Sequence, residues 1–252
     1  MFDKKEILTS GKIFNPAAKI YANADRVLDY LDNKNPAPVL VEIDPSNTCN
    51  HGCYFCISSY IHLPESKNLE TYNKTVMPRD VLLGACKDFV DMGVRAINWT
   101  GGGEPTINKH LKEAITYIGE TSDIKMGIFT NGTLLDKWDL FETMVDNMTW
   151  VRFSVDAGTP ETYNNIRRAK GNHGWDKMVE NLNTLIKVNE DRGKKIGIGV
   201  GFVITPDTCH EIVDFAKYFA DLDVDYCQYK PEIVNRERED GVQRDLEFWQ
   251  KN

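Results

Sequence analysis

Long apolar runs are missing from this 252-residue chain. The stretch Gly197–Ile204 is typical of those it has, enough for a buried strand but far short of the ~20 residues that cross a membrane. The start, Met1 leading into Asp3-Lys4-Lys5-Glu6, shows no signal-like apolar core, so the expected setting is cytoplasmic with no membrane partner. A basic surplus is missing too. Thirty Lys and Arg against 38 Asp and Glu give a net charge of −8, which argues against a nucleic-acid partner held on a basic surface. A few local cations would still suffice for a small anionic substrate. There is no internal repeat, no low-complexity tract and no distant CxxC or HxxxH. The six cysteines make an even number for disulfides. Three of them are packed into eight residues of a long chain without a signal, which points to a reducing compartment and to metal binding.

What is present is a strict alternation. Apolar, β-branched segments predict strands at Val39–Asp44, Ala96–Thr100, Lys125–Thr130, Trp150–Asp156, Ile196–Thr205 and Tyr226–Pro231. Helical patterns fall between them at about Pro78–Met92, Lys109–Glu120 and Lys137–Asp146, then a pair from Pro160 and from Trp175, then Thr208–Asp221. Such alternation predicts an α/β fold of parallel strands with right-handed crossovers, either an open doubly wound sheet or a barrel that does not close fully. The unusual residues decide between them. The cysteine loop follows the first strand and Gly101-Gly102-Gly103-Glu104-Pro105 the second; Thr130-Asn131-Gly132 ends the third and Ser154-Val155-Asp156 the fourth. The fifth runs into Val203-Ile204-Thr205, and the sixth ends Gln228-Tyr229-Lys230-Pro231-Glu232. Special residues spread around one rim fit the catalytic face of an α/β barrel; an open sheet would gather them at one switch point.

The expected core spans residues 39–232. Residues 1–38 form a helical extension, with an amphipathic stretch at about Ala18–Leu31. Residues 233–252 form a charged C-terminal helix carrying Leu246, Phe248 and Trp249, either a solvated surface or the start of something further. Of the scattered thiols, Cys86 on an apolar helical face and Cys227 inside a strand fit buried small hydrophobes, and Cys209 begins a helix.

The loop Cys49-Asn50-His51-Gly52-Cys53-Tyr54-Phe55-Cys56 narrows the chemistry most. A thioredoxin-like pair would use Cys53 and Cys56 and ignore Cys49. Zinc would need His51 as a fourth ligand, yet zinc sites draw their second ligand pair from a distant segment. Free structural thiols fit poorly at a catalytic rim. The remaining reading is a cubane [4Fe–4S] cluster held through three irons, with one coordination position left for chemistry.

The CxxxCxxC spacing with Phe55 before the last cysteine resembles the signature of the radical S-adenosylmethionine (radical SAM) enzymes. Gly102-Gly103-Glu104-Pro105 and Ser154-x-Asp156 strengthen the resemblance, which extends over residues 39–232. Within that superfamily the motif set is most similar to the molybdenum-cofactor cyclase and the peptide-modifying enzymes with C-terminal auxiliary clusters. The resemblance implies a partial (β/α)6 TIM-like barrel, a [4Fe–4S] cluster on Cys49, Cys53 and Cys56, and S-adenosylmethionine on the fourth iron. It further implies reductive cleavage of S-adenosylmethionine, with an electron donor such as flavodoxin or ferredoxin. The resulting 5′-deoxyadenosyl radical takes a hydrogen atom from a small metabolite, sugar, nucleotide or peptide. Whether the net reaction is of oxidoreductase, lyase or transferase type follows from that substrate. A non-catalytic iron–sulfur scaffold or redox sensor is the alternative; Glu104, Ser154 and Asp156 weigh against it, since holding a cluster does not require them.

By the same resemblance Gly102 and Gly103 let backbone approach the methionine moiety, while strand-end carbonyls or Glu104 accept from its ammonium group. Ser154 and Asp156, on one face of the strand, suit ribose hydroxyls or the methionine end; Asp156 as a cap for the following helix is the duller alternative. Asn131 is either a ligand donor or half of an Asn-Gly turn. Phe55 packs near the adenine, and Val203 flanks its other face or simply fills the core. One of Arg167 and Arg168 forks the carboxylate, or both merely sit at a helix C-terminus. Gln228 and Lys230 share a face and are the substrate candidates. Tyr229 points the other way, and Lys230 is alternatively paired with Glu232.

Overall fold

A computed structural model describes residues 20–58, 74–169 and 174–232. The expected C-terminal helix over 233–252 and the first 19 residues of the N-terminal extension lie outside these. Six strands, β1 (Leu40–Ile43), β2 (Ala96–Trp99), β3 (Lys125–Thr130), β4 (Trp150–Ser154), β5 (Gly197–Ile204) and β6 (Tyr226–Pro231), pair in sequence order. Every pairing is parallel. The crossovers are α2 (Arg79–Met92), α3 (Leu111–Thr121), α4 (Phe141–Asn147), α5 (Pro160–Arg167) with α6 (Gly174–Asp191), and α7 (Ile212–Asp221). A strand order that never reverses, joined by right-handed crossovers, puts all these helices on one face of the sheet. The other face becomes the inside of a barrel, and no β6–β1 pairing closes it among the described residues. No helix among them is long and apolar enough to cross a membrane.

Strand alternation assigns the two faces different tasks. Ile97 and Trp99, Val151 and Phe153, and Val200 and Phe202 are buried in one apolar core with Leu82, Ile115, Leu182 and Phe215 of the helices. Between them on the strands, Asn98, Arg152, Ser154 and Gly201 are only half-buried and face the barrel interior. The parallel register then stacks the inner face. Phe129, Arg152, Gly199 and Tyr226 stand side by side; Ser154, Gly201 and Gln228 form the next level, and Val203 and Lys230 the one above.

Two glycines make room for the barrel floor. A Cβ on Gly127 would lie 2.0 Å from Trp150 Cε2, and one on Gly199 would lie 2.2 Å from Tyr226 Cζ. The Trp150 and Tyr226 rings therefore occupy space that side chains on the neighbouring strands would need. Phe129 packs on Trp150 with ring centroids 4.8 Å apart. The extension contributes α1 (Ala24–Leu31), tied beneath the barrel by Arg26 donating to the Gly93 carbonyl (2.9 Å) and by the Asp25–Arg95 ion pair.

Three elements differ from the sequence expectation. The helix expected at Lys137–Asp146 is broken into a 3-10 turn, Asp136–Trp138, and α4, because Asp139 turns left-handed (φ +50°) and Trp138 Nε1 is pinned to the Thr106 carbonyl at 2.9 Å. The one expected at Thr208–Asp221 splits at Glu211, whose carboxylate is drawn away to Gly158 N, Thr159 Oγ1 and Thr162 Oγ1. The fourth strand stops at Ser154, since Val155 N and Asp156 N both donate to the Gly201 carbonyl (3.1 Å each) and Asp156 takes φ +66°. Of the scattered thiols, Cys86 is fully buried, whereas Cys227 on the edge strand is only partly so.

Replacing Gly127 by Ala should force Trp150 off its seat and cost about 1–3 kcal/mol. Urea denaturation of G127A, W150A and the double mutant will show the penalty of G127A largely vanishing once the indole is gone.

Candidate active site

The cysteine loop follows β1 and is tied to almost every other strand end. Gly52 N donates to the Arg167 carbonyl (3.1 Å) and Tyr54 N to the Ile166 carbonyl (3.4 Å), using the free carbonyls at the end of α5. Asn50 donates to Thr133 Oγ1 and accepts from Asn131 Nδ2, both at 2.8 Å, beyond β3. Tyr54 hydroxyl donates to Thr205 Oγ1 at 2.9 Å, beyond β5. Thr48 O accepts from Glu104 N at 2.9 Å, beyond β2. Asn131 forms the turn its Asn-Gly pair suggested, with its Oδ1 accepting from Thr133 N (3.0 Å) and Gly132 left-handed, and its amide donates to Asn50 of the cysteine loop.

Glu104 is a buried hub. Its Oε1 accepts from Thr106 N (3.1 Å), Thr106 Oγ1 (2.6 Å) and Thr130 Oγ1 (2.6 Å), and its Oε2 from Asn131 N (2.7 Å). Four protein donors on one carboxylate tie the second strand end to the third. Gly103 has an equally internal reason to lack a side chain: a Cβ there would sit 2.2 Å from the Thr48 carbonyl oxygen. Gly102 N donates to Asp44 Oδ2 at 3.0 Å.

Across the barrel mouth, Asp156 and Arg167 form a buried ion pair at 2.6 Å. The second Asp156 oxygen accepts from Val203 N at 2.8 Å, linking β4, β5 and α5. Asp156 is not a helix cap; Thr159 Oγ1 fills that place by accepting from Thr162 N. Burial pushes the Asp156 carboxyl up against the pull of Arg167. Of the two arginines, Arg167 is the one turned inward, while Arg168 caps α5 in a left-handed conformation (φ +46°) with its guanidinium over Tyr54.

A cleft opens where these parts meet. Phe55 and Cys56 form one wall, Ser154 and the Asp156–Arg167 pair the back, and Val203, Gln228 and Lys230 the other wall. Gly102, Gly103, Glu104 and Asn131 are not among the residues that line this cleft; Glu104 N and Asn131 Nδ2 donate to the Thr48 carbonyl and Asn50 Oδ1. Tyr229 turns the other way, packing on Phe202 and Phe215 with its hydroxyl on the Ile212 carbonyl (2.8 Å). Lys230 lines the cleft and makes no ion pair with Glu232 among the described residues. Arg152 also lines it and was missed from the sequence, although a charge two residues before Ser154 in a buried strand shares its face.

The thiols suit a charged metal cluster. Cys49, Cys53 and Cys56 are free of disulfides, and each interacts electrostatically with another of the three. Burial pushes Cys49 and Cys53 up to about 12 and raises Cys56 as well, while the Arg167 cation opposes the rise at all three. A cluster that binds thiolates reverses the burial penalty and finds a fixed cation beside it. His51, between them, is buried against Tyr163 with neither ring nitrogen hydrogen-bonded, and burial and Arg167 hold it far below the usual histidine range, at about 2. Among the described residues, no three His, Cys, Asp or Glu side chains gather tightly enough to hold one metal ion.

An open parallel barrel with a triple-thiol loop at its mouth defines a class of iron–sulfur enzymes. The family model of the radical SAM superfamily matches residues 43–216, and the chain belongs to that superfamily. Its cofactors are a [4Fe–4S] cluster and S-adenosylmethionine. Molybdenum cofactor biosynthesis protein 1 of Dictyostelium discoideum is 26% identical over 235 residues, 88% of this chain and 35% of that protein. A probable GTP 3′,8-cyclase of Sulfurisphaera tokodaii is 24% identical over 182 residues, 71% of this chain and 51% of that one. A protein named GTPase Obg from Brachyspira hyodysenteriae is 29% identical over 145 residues, 56% of this chain and 20% of that one. Among solved structures, Streptococcus suis SuiB bound to S-adenosylmethionine shares the fold with a TM-score of 0.63 at 17% identity, covering 98% of this chain and 56% of that one. The chain spans about a fifth to a half of the length of these curated relatives.

Two substitutions test how the site is held. Asp156→Asn strands the Arg167 charge and should cost about 3–5 kcal/mol in urea denaturation, whereas combining it with Arg167→Met costs less than the single change. Gly103→Ala must displace Thr48, and with it the cysteine loop; its iron content after anaerobic reconstitution falls well below that of the wild type while the far-ultraviolet dichroism is unchanged.

Proposed function

We propose that this cleft binds S-adenosylmethionine against a cluster on Cys49, Cys53 and Cys56 and turns the radical formed there on a substrate held deeper in the barrel. The observation that carries this reading is the convergence on one cleft of the cysteine-loop wall, Ser154 with the Asp156–Arg167 pair, and the polar pair Gln228 and Lys230. Cys49, Cys53 and Cys56 would hold the cluster, which when bound and reduced would supply the electron for cleaving the sulfonium carbon–sulfur bond of S-adenosylmethionine to methionine and a hydrogen-abstracting 5′-deoxyadenosyl radical.

The chain's own groups bind, orient and exclude water. Phe55 and Val203 both line the cleft and flank the adenine, with Ser154 on a ribose hydroxyl. Arg167 takes the methionine carboxylate. Asp156 fixes one end of its guanidinium, and its Nε has no hydrogen-bond partner within the protein among the described residues. Asp156 accordingly acts through Arg167 and Val203, not as a first contact of the ribose. Glu104, already engaged by four protein donors, positions the glycine run and Asn131, and strand-end carbonyls accept from the ammonium group. Apolar Phe55 and Ile57 at the cleft keep the radical from water.

The core of this activity occupies residues 39–232. A flavodoxin or ferredoxin supplies the electron, and the setting is the reducing cytoplasm. The substrate is a small metabolite, sugar, nucleotide or peptide, and the relatives named as GTP 3′,8-cyclase make a nucleotide the first to try.

Anaerobically reconstituted protein with dithionite should convert S-adenosylmethionine to 5′-deoxyadenosine and methionine, read by chromatography. Cys53→Ala should lose both the cluster absorbance and the cleavage. A fully loaded cluster that gives neither cleavage nor a spectral response to S-adenosylmethionine would sink the proposal.

A further inference from the structure

The inner wall of the cleft carries two cations that the chemistry above does not use. Arg152 rises from β4 and Lys230 ends β6, with Gln228 a level below Lys230 on the same face. The strand between them, β5, presents Gly201 at this point, where a Cβ would approach Arg152 Nε to 3.5 Å. The missing side chain keeps the wall between the two cations open.

Arg152 is held from below and left unpaired above. Its guanidinium lies 4.0 Å from the centroid of the Phe129 ring, a stacking that fixes its plane. One terminal nitrogen donates to Gln228 Oε1, and Nε is buried without a hydrogen-bond partner among the described residues. Among those residues, neither Arg152 nor Lys230 is in ion-pair contact with a carboxylate. The carboxylates that face them are engaged elsewhere. Asp156 attracts Arg152 from a distance but is bound to Arg167 and Val203 N; Glu42 attracts Lys230 from a distance and accepts from Asn98 Nδ2 at 3.4 Å. Burial and the neighbouring Arg152 charge push Lys230 below the ordinary lysine value, and burial lowers Arg152 too, with Tyr226 and Asp156 opposing. Since Asp156 and Arg167 pair with each other and Glu42 draws on Lys230 only from a distance, Arg152 and Lys230 have no carboxylate in contact among the described residues, in a chain of net charge −8.

We propose that Arg152, Gln228 and Lys230 form a subsite for a phosphate group of the substrate. This rests on reading the cleft as the active site. Two cations with no carboxylate in contact among the described residues match the near −2 charge of a phosphate monoester at neutral pH better than a single carboxylate. A planar guanidinium fork and a mobile ammonium approach a tetrahedral anion from two sides, which a flat carboxylate would not require. Gln228 fits the same ligand: because its Oε1 accepts from Arg152, its amide nitrogen is left to donate. The subsite lines the same cleft as Cys56, so a phosphate anchored there keeps its molecule beside the space proposed for S-adenosylmethionine.

Inorganic phosphate is the probe. The cluster-loaded, S-adenosylmethionine-saturated full chain is titrated calorimetrically at constant chloride-adjusted ionic strength, with S-adenosylmethionine affinity measured separately in every sample. Saturable one-site binding is expected, weakened about tenfold or more in both R152M and K230M and partly retained in R152K. Lys230 lies on the edge strand, so K230M reports even where R152M fails to load its cluster. Absence of saturable binding in the wild type, or undiminished binding in both variants, overturns the proposal. So does loss of S-adenosylmethionine affinity in both variants, which would give these cations to the cofactor. Wild-type protein that binds phosphate but no S-adenosylmethionine would instead overturn the reading of the cleft and leave the phosphate subsite standing.

Discussion

The buried pair between Asp156 and Arg167 is the constraint on which the rest of the site depends. A charge pair taken out of water contributes little net stability, but losing one member strands the other at a cost of several kcal/mol. The pair therefore acts as a fixed joint. From Asp156 it grips the fifth strand through Val203 N, and from Arg167 it sets the end of α5, whose last carbonyls hold the backbone of Gly52 and Tyr54. The cysteine loop thus takes its position from a salt bridge across the barrel, while Glu104, Asn50 and Asn131 hold it from behind. The same joint places a cation beside three thiols whose burial disfavours the charged state that metal binding needs.

Dividing the sheet's faces between two tasks makes this possible. The helical side carries the apolar packing that stabilises the fold, so the inner side is free to be polar and partly open. Gly127 and Gly199 let two aromatic rings close the floor, and Gly201 leaves the wall above them bare. A barrel left open between its first and last strands gives that interior a wide mouth, which suits a site that must take both a nucleoside-bearing cofactor and a second molecule.

Much of this was legible in the chain. Strand and helix order followed from apolar periodicity, and the rim motifs, read together, favoured a barrel over an open sheet. Gln228 and Lys230 were placed on one face and Tyr229 on the other by alternation alone, and the register confirms it. The helices that broke early did so because a distant group overrode the local pattern: the Thr106 carbonyl took Trp138, and Gly158, Thr159 and Thr162 took Glu211. Arg152 escaped notice because a lone arginine inside a strand has no local motif to mark it, even though its parity with Ser154 was available.

Composition and spacing by themselves determined the alternating architecture and the triple-thiol loop, since these are written in short-range patterns of polarity and residue type; the family entered as a resemblance of motifs. Tertiary structure alone decided which arginine turns inward and that Glu104 gathers Thr106, Thr130 and Asn131 around one buried carboxylate. It alone showed that Arg152 and Lys230 share an open wall with no carboxylate in contact among the described residues. Those outcomes depend on register and on pairings between residues tens of positions apart, where partner and distance are set only when the whole sheet has assembled around them.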